Sequence, residues 1–289
     1  MKITRVSILF MVVILAGCGG AKIVPERKTK AFQFSQKGSV YYSKAEFGKA
    51  LDYFHRSLKI NESIDNREDI ARDLNNIGTV LYSMKELDKA VQYFEEALKV
   101  NEEINDTLGK AAGLNNIGIV LLARGDVNGA REKFEQALRL DESANNRGGV
   151  AIRLNNLGRT YTSSGELNTA LEFYQKALTV NKEERNLRGI ANNLSNIGRV
   201  HQAKGELESA IEYYEMALNI DKQMEYLPEI GIDLYNIGSA YEDRGDLNRA
   251  LNFYKRAFKV DEKLGSKART DKDLESIKRV QRAMGKEAK

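Results

Sequence analysis

The chain has 289 residues, 42% of them hydrophobic and 30% charged, a balance that excludes both a disordered tail and a polytopic membrane protein. One cysteine (Cys18) and two histidines (His55, His201) exclude an intrachain disulfide framework and a multi-cysteine zinc site, and leave little for histidine-based catalysis. The net charge of +4 gives no sign of the concentrated basic face of a nucleic-acid binder, and only two prolines (Pro25, Pro228) predict long helices.

The first element is an export signal. Lys2 and Arg5 precede an uninterrupted apolar run, Val6–Ala16, and Gly17-Cys18-Gly19-Gly20 follows. A short basic start, an apolar core of this length and a small-residue exit describe a secretory signal peptide. The run is shorter than the roughly 20 apolar residues of a transmembrane helix. Leu15-Ala16-Gly17-Cys18 resembles the lipobox of bacterial lipoproteins. That resemblance implies cleavage before Cys18, a diacylglycerol on its sulfur and an acyl group such as palmitate on the new amine. Two or more acyl chains anchor stably where one does not. Residues 1–17 are then a signal peptide, and the mature chain is held in the bacterial cell envelope. Gly19 stands where some Gram-negative lipoproteins carry an inner-membrane retention aspartate, so the resemblance implies an outer-membrane anchor facing the periplasm in a Gram-negative organism.

Residues 18–30 form a lipidated tether. With Gly20, Pro25 and four cations (Lys22, Arg27, Lys28, Lys30) against Glu26, and no helical apolar period, the segment reads as a flexible spacer. Its cations either stay solvated or touch anionic headgroups.

Residues 31–264 repeat every 40 residues. Asn75-Asn76-Ile77-Gly78 recurs at Asn115-Asn116-Ile117-Gly118, Asn155-Asn156-Leu157-Gly158, Ser195-Asn196-Ile197-Gly198 and Tyr235-Asn236-Ile237-Gly238, with a diverged copy at Ser35-Gln36-Lys37-Gly38. Twelve residues after each glycine is an alanine (Ala50 to Ala250), sixteen after it an aromatic (Phe54, Phe94, Phe134, Tyr174, Tyr214, Tyr254), and nineteen after it a small residue (Ser57, then Ala97 to Ala257). Apolar positions within each half follow the helical period, as in Leu154, Leu157 and Tyr161, or Leu167, Leu171 and Tyr174. Turns such as Arg124-Gly125-Asp126 separate the halves, and Asn105-Asp106, Asn145-Asn146 and Pro228 sit at the joints between units. A glycine inside a helix costs about 1 kcal/mol against alanine, so six in register argue for close helix packing.

These spacings resemble the tetratricopeptide repeat (TPR), over more than four fifths of the chain. The usual TPR has about 34 residues. The longer unit looks like the arrays of kinesin light chains and of adaptors that bind G-protein regulatory peptides, whereas HEAT and armadillo repeats share the period but not these marks. The resemblance implies an all-α fold, a right-handed superhelix of six helix pairs. Residues 265–289 continue as a capping helix and basic tail, with Leu274, Ile277, Val280 and Met284 on one face and Lys278 in place of the glycine. Nine cations against four anions in residues 263–289 leave a lipid or nucleic-acid contact open beside a solvated cap.

No metalloprotease, P-loop, nucleophile-elbow or CxxC motif is present, so neither an enzyme nor a metal or other cofactor is expected. His201 occupies the slot of Tyr161 and Tyr241 and reads as packing. The residues of interest lie two before each glycine: Asn76, Asn116, Asn156, Asn196 and Asn236. An amide has donors and an acceptor for a peptide backbone, and in the TPR family asparagines here hold an extended peptide. They serve equally to hydrogen-bond neighbouring helices. One residue after the glycine, Arg159 and Arg199 are adjacent in the stack, either solvated or suited to a ligand carboxylate. The expected function is a membrane-tethered scaffold that binds a peptide or protein partner and no nucleic acid. The alternative is an envelope assembly factor of the pilotin type, for pili, secretins or other outer-membrane complexes.

Overall fold

The computed structural model describes residues 17–285, with side chains from residue 24 onward. Residues 1–16 of the expected signal peptide (1–17), the side chain of Cys18 and residues 286–289 of the expected basic tail lie outside the described residues. Among the described residues there are thirteen α-helices and no strand, and no helix is long and apolar enough to cross a membrane. The helices are α1 (Gly17–Ser43), α2 (Phe47–Ser63), α3 (Arg67–Ser83), α4 (Leu87–Glu103), α5 (Thr107–Ala123), α6 (Val127–Ser143), α7 (Arg147–Ser163), α8 (Leu167–Glu183), α9 (Leu187–Ala203), α10 (Leu207–Gln223), α11 (Leu227–Asp243), α12 (Leu247–Lys263) and α13 (Lys267–Ala283).

The 40-residue unit is two 17-residue helices and two three-residue turns. A left-handed backbone residue falls every 20 residues, from Ala45 to Gly285. Turns within a pair carry glycine there at Gly125, Gly165, Gly205 and Gly245 (φ +78° to +84°), where an L side chain would strain the backbone. Turns between pairs use Asp65, Asn105, Asn145, Arg185 and Glu225 instead. The next residue caps the following helix: Asp106, Asn146 and Asn186 accept from the backbone N–H of Gly109, Gly149 and Gly189. Pro228 sits in the first turn of α11, where no helical N–H is needed.

The recurring glycine is a seat for an aromatic ring. A Cβ on Gly78, Gly158 or Gly198 would lie 2.6–2.8 Å from the ring of Phe94, Tyr174 or Tyr214 on the partner helix. Those rings are at most 3% exposed, and Ala50, Ala90, Ala130, Ala170, Ala210 and Ala250 are fully buried beside them. A second ring stack closes four of the six pairs. Tyr41 lies on Tyr53, Tyr161 on Phe173, His201 on Tyr213 and Tyr241 on Phe253, with centroids 5.1–5.5 Å apart and planes within 15°. His201 is thus one of these stacked rings, and its Nδ1 meets Glu206 at 2.5 Å.

The chain divides within α6 into two compact units, residues 1–140 and 141–289. In the first, Phe54, Ile77, Val80, Phe94, Ile117 and Val120 form a continuous core. In the second, Tyr214, Leu234, Ile237, Tyr254, Ile277 and Val280 do so, which makes α13 the closing layer of that core.

Two expectations change. Residues 19–30 are not a flexible spacer but the start of α1, which runs unbroken to Ser43. Apart from Gly19, Gly20 and Pro25, most of that segment consists of fair helix formers, and the helix secured by buried Ala31 propagates through Pro25 at the loss of one backbone bond. Leu274 does not share the buried face of α13: it is exposed where its counterpart Leu234 is buried, since among the described residues no second helix packs on α13 as α12 does on α11. Asp273 and Ser276 are buried instead.

Candidate functional site

Joints between helix pairs carry a buried polar contact, except that of α4 and α5, where Gly113 stands opposite Asn101. Its members are twelve residues apart, one on the second helix of a pair and one on the first helix of the next. Asn61 donates to Asp73 at 2.8 Å and Asn181 to Asn193 at 2.7 Å. Arg153 and Asp141 form an ion pair at 2.9 Å with both side chains under 10% exposed. Asp221 faces Asp233, and Asp261 faces Asp273. Cap residues join in: Asn146 and Asn186 donate to Asp141 (2.7 Å) and Asn181 (2.9 Å). Burial pushes the Asp73 carboxyl up to about 6, Asp273 to about 7 with help from Asp261, and Asp233 to about 8, where contact with Asp221 adds to the effect.

On the second unit the Asp221–Asp233 joint borders a cavity of about 560 Å³, built mainly from the first helices of successive pairs. Asn155 and Arg159 come from α7, Asn192, Ser195, Asn196 and Arg199 from α9, Ile232, Asp233 and Asn236 from α11, and Lys272 from α13. A second depression of about 290 Å³ shares Asn155, Arg188 and Asn192 with it. The groove therefore contains both proposed arginines and two of the five ladder asparagines. Its acids are subdued, since burial raises the carboxyls of Asp221, Glu229 and Asp233 toward the neutral form. In the lining the cations Arg159, Arg188, Arg199 and Lys272 outnumber these three acids.

The ladder asparagines are partly committed. Asn196 Nδ2 donates to Asn155 Oδ1 of the preceding pair (2.7 Å), Asn116 to Asn75 (3.3 Å) and Asn236 to Ser195 (3.5 Å). The Oδ1 atoms of Asn156 and Asn196 accept from Arg159 (3.4 Å) and Arg199. The asparagines so hold the arginines on their own helices, and each guanidinium, with five donors, keeps others for a ligand. On the first unit Asn76 is half-buried, and the nearest depression, about 240 Å³, is lined by Asn75 and Asn101 instead.

A family model described as tetratricopeptide repeat matches residues 34–103, 110–183 and 189–263. The chain belongs to the tetratricopeptide repeat family. No curated protein sequence matches it. Among solved structures, this TPR chain is similar to the apo form of RapI (17% identity, TM-score 0.67, covering 82% of this chain and 85% of that one). It is also similar to a Rap protein complexed with Competence and Sporulation Factor (14%, 0.66, 89% and 76%) and to BtubC from P. vanneervenii (16%, 0.62, 84% and 92%). At these identities the likeness shows the fold of the TPR array and nothing finer.

The TPR spacing located the groove-facing helices, but it missed Asn155, Asn192, Arg188 and Lys272, which line the same cavity. Asn155 had a signal, since Asn75, Asn115 and Asn155 recur one residue before the ladder. Arg188 and Lys272 had none, for each enters from a slot that the other repeats fill with unrelated residues.

Proposed function

We propose that the protein is a membrane-tethered binding scaffold whose second-unit groove holds an extended peptide or protein segment carrying an acidic group. The observation that carries this reading is the arrival of Arg159 and Arg199 in one cavity, each hydrogen-bonded to the ladder asparagine of its own helix, beside Asn155 and Ser195. A planar guanidinium is matched to a carboxylate, and side-chain amides are matched to peptide groups of any sequence. Membership in the TPR family supports protein binding, and a Rap protein of similar fold has been solved with Competence and Sporulation Factor bound. The tether reading rests on the resemblance of Leu15-Ala16-Gly17-Cys18 to a lipobox, with lipid attachment at Cys18 and the scaffold in the cell envelope as its consequence.

Two measurements test the two halves of the proposal. An array of random-sequence peptides is probed with the purified protein, and peptides retained by the wild type are re-measured with Arg159→Ala/Arg199→Ala. Selection of acidic peptides with a severalfold loss in the double variant supports the groove; retention of the same peptides at unchanged affinity overturns it. Palmitate labelling of cells producing the wild type or Cys18→Ser tests the tether, and equal labelling of both overturns that assignment.

A further inference from the structure

The first helix pair presents a face that every later pair buries. At the position of Val80, Val120, Thr160, Val200, Ala240 and Val280, all at most 1% exposed, stands Val40 at 51%. At the position of Ile77, Ile117, Leu157, Ile197 and Ile237 stands Lys37, and it is exposed. Gln33, Lys37, Val40, Tyr41 and Lys44 of α1 surround a depression of about 610 Å³ with Tyr53 of α2. Its aromatic floor is extended by Phe34, whose ring lies 5.9 Å from that of Tyr53. Cations lie over these rings: Lys30 over Phe34 at 5.9 Å, Lys37 over Tyr53 at 5.7 Å and Lys49 over Tyr41 at 5.2 Å.

We propose that this face docks on an anionic lipid bilayer. A lysine in a slot that elsewhere takes isoleucine is incompatible with burial under another apolar helix, because a charge there would lose its water without a partner. The covering surface therefore accepts cations at its rim and apolar or aromatic groups at its centre, as the headgroup boundary of a membrane does. Charge complementarity points the same way. Residues 22–44 hold six cations (Lys22, Arg27, Lys28, Lys30, Lys37, Lys44) against Glu26 alone. Lys49 and Arg56 beside them are paired with Glu46 and Asp52. A second copy is disfavoured in either orientation. Two such faces repel, and the cap helix α13 with its turn, residues 267–285, is also basic, with six cations against three acids. The choice of a bilayer over an acidic protein rests on the lipid-tether reading, since α1 is the helix that begins at Gly17 beside Cys18.

The chain has no tryptophan, so Val40→Trp is a clean reporter at an exposed position and Met216→Trp, 45% exposed on α10, is its control. The full chain carrying each is mixed with vesicles of brominated phosphatidylcholine, with or without 30 mol% (about one lipid in three) phosphatidylglycerol. The expected result is quenching at position 40 at least about threefold stronger with the anionic lipid, little at position 216, and loss of the effect in Lys37→Glu/Lys44→Glu or at high salt. Equal quenching at both positions, no dependence on anionic lipid, or no effect of charge reversal overturns the proposal. So does a blue-shifted emission without vesicles, which reports cover by a second copy or by the chain's own first residues. Circular dichroism checks that the variants stay folded. Repeating the measurement in Cys18→Ser separates the two readings: a surviving response keeps the docking face even where palmitate labelling has removed the anchor.

Discussion

Asp233 and Asp221 meet across the joint between α10 and α11, two carboxyls with no cation between them, and both are held toward protonation by burial. The sequence around them, acidic at Asp221 and Asp233 and again at Asp261 and Asp273, departs from the amide or ion pairs at the earlier joints of Asn181 with Asn193 and Arg153 with Asp141. Two carboxyls at such a site keep a shared proton, since both cannot ionise together without repulsion.

A pH dependence follows from that proton. The folded-state values of about 8 for Asp233 and about 7 for Asp273 lie above the unfolded aspartate value of about 3.9. A raised carboxyl contributes stability below the unfolded value and loses it as pH rises through the folded one, at most about 1.4 kcal/mol per pH unit for each group. Thermal unfolding should therefore occur at lower temperature at pH 8.5 than at pH 6. Asp233→Asn, which supplies an amide to Asp221 as Asn61 does to Asp73, should flatten that slope. An unchanged slope in the variant would count against the shared proton.

The buried ion pair of Arg153 and Asp141 behaves differently. Removing one partner strands a charge, so Arg153→Met should cost about 3–5 kcal/mol in denaturant unfolding. The double change Arg153→Met/Asp141→Leu should recover most of it, because replacement of a buried pair by apolar side chains is often near neutral. The double-mutant cycle measures the coupling directly.

Gly158 tests the ring seat. An alanine Cβ would lie 2.6 Å from Cε1 of Tyr174, a ring that is 1% exposed and has no room to retreat. Overpacking of this kind costs about 1–3 kcal/mol, against a helix-propensity gain of about 1 kcal/mol. Net destabilisation of Gly158→Ala is expected, and Gly148→Ala, with only one atom within 4 Å and that at 3.9 Å, should instead stabilise. Chemical denaturation of the pair decides between packing and propensity.

At the C-terminal end, Arg279 makes two hydrogen bonds to Glu242 (2.8 and 2.9 Å), which also accepts from the Tyr254 hydroxyl at 2.7 Å. The pair is half in water, so Arg279→Ala should cost no more than about 1 kcal/mol overall. Its effect should be local: faster amide exchange in α13 with α9 and α10 unchanged, read by hydrogen exchange.

The sequence by itself determined the helix pairs, their 40-residue beat and the place of every small residue at a helix crossing. Those are written as periodic local chemistry: Gly158 and Tyr174 sit sixteen residues apart in every copy of the motif, and the turn glycines follow the same count. The tertiary structure alone decided which polar side chains face which. Asn196 spends its amide on Asn155 because two residues 41 apart in the chain lie on helices side by side, and the Asp233 carboxyl is pushed up because the joint buries it against Asp221. Helical propensity says nothing of either, since a side chain's partner across a stack depends on where the neighbouring backbone is, not on its own. The same reason explains Lys37. Its slot in the repeat is legible as core, and only the absence of a helix against it among the described residues turns that slot into a surface.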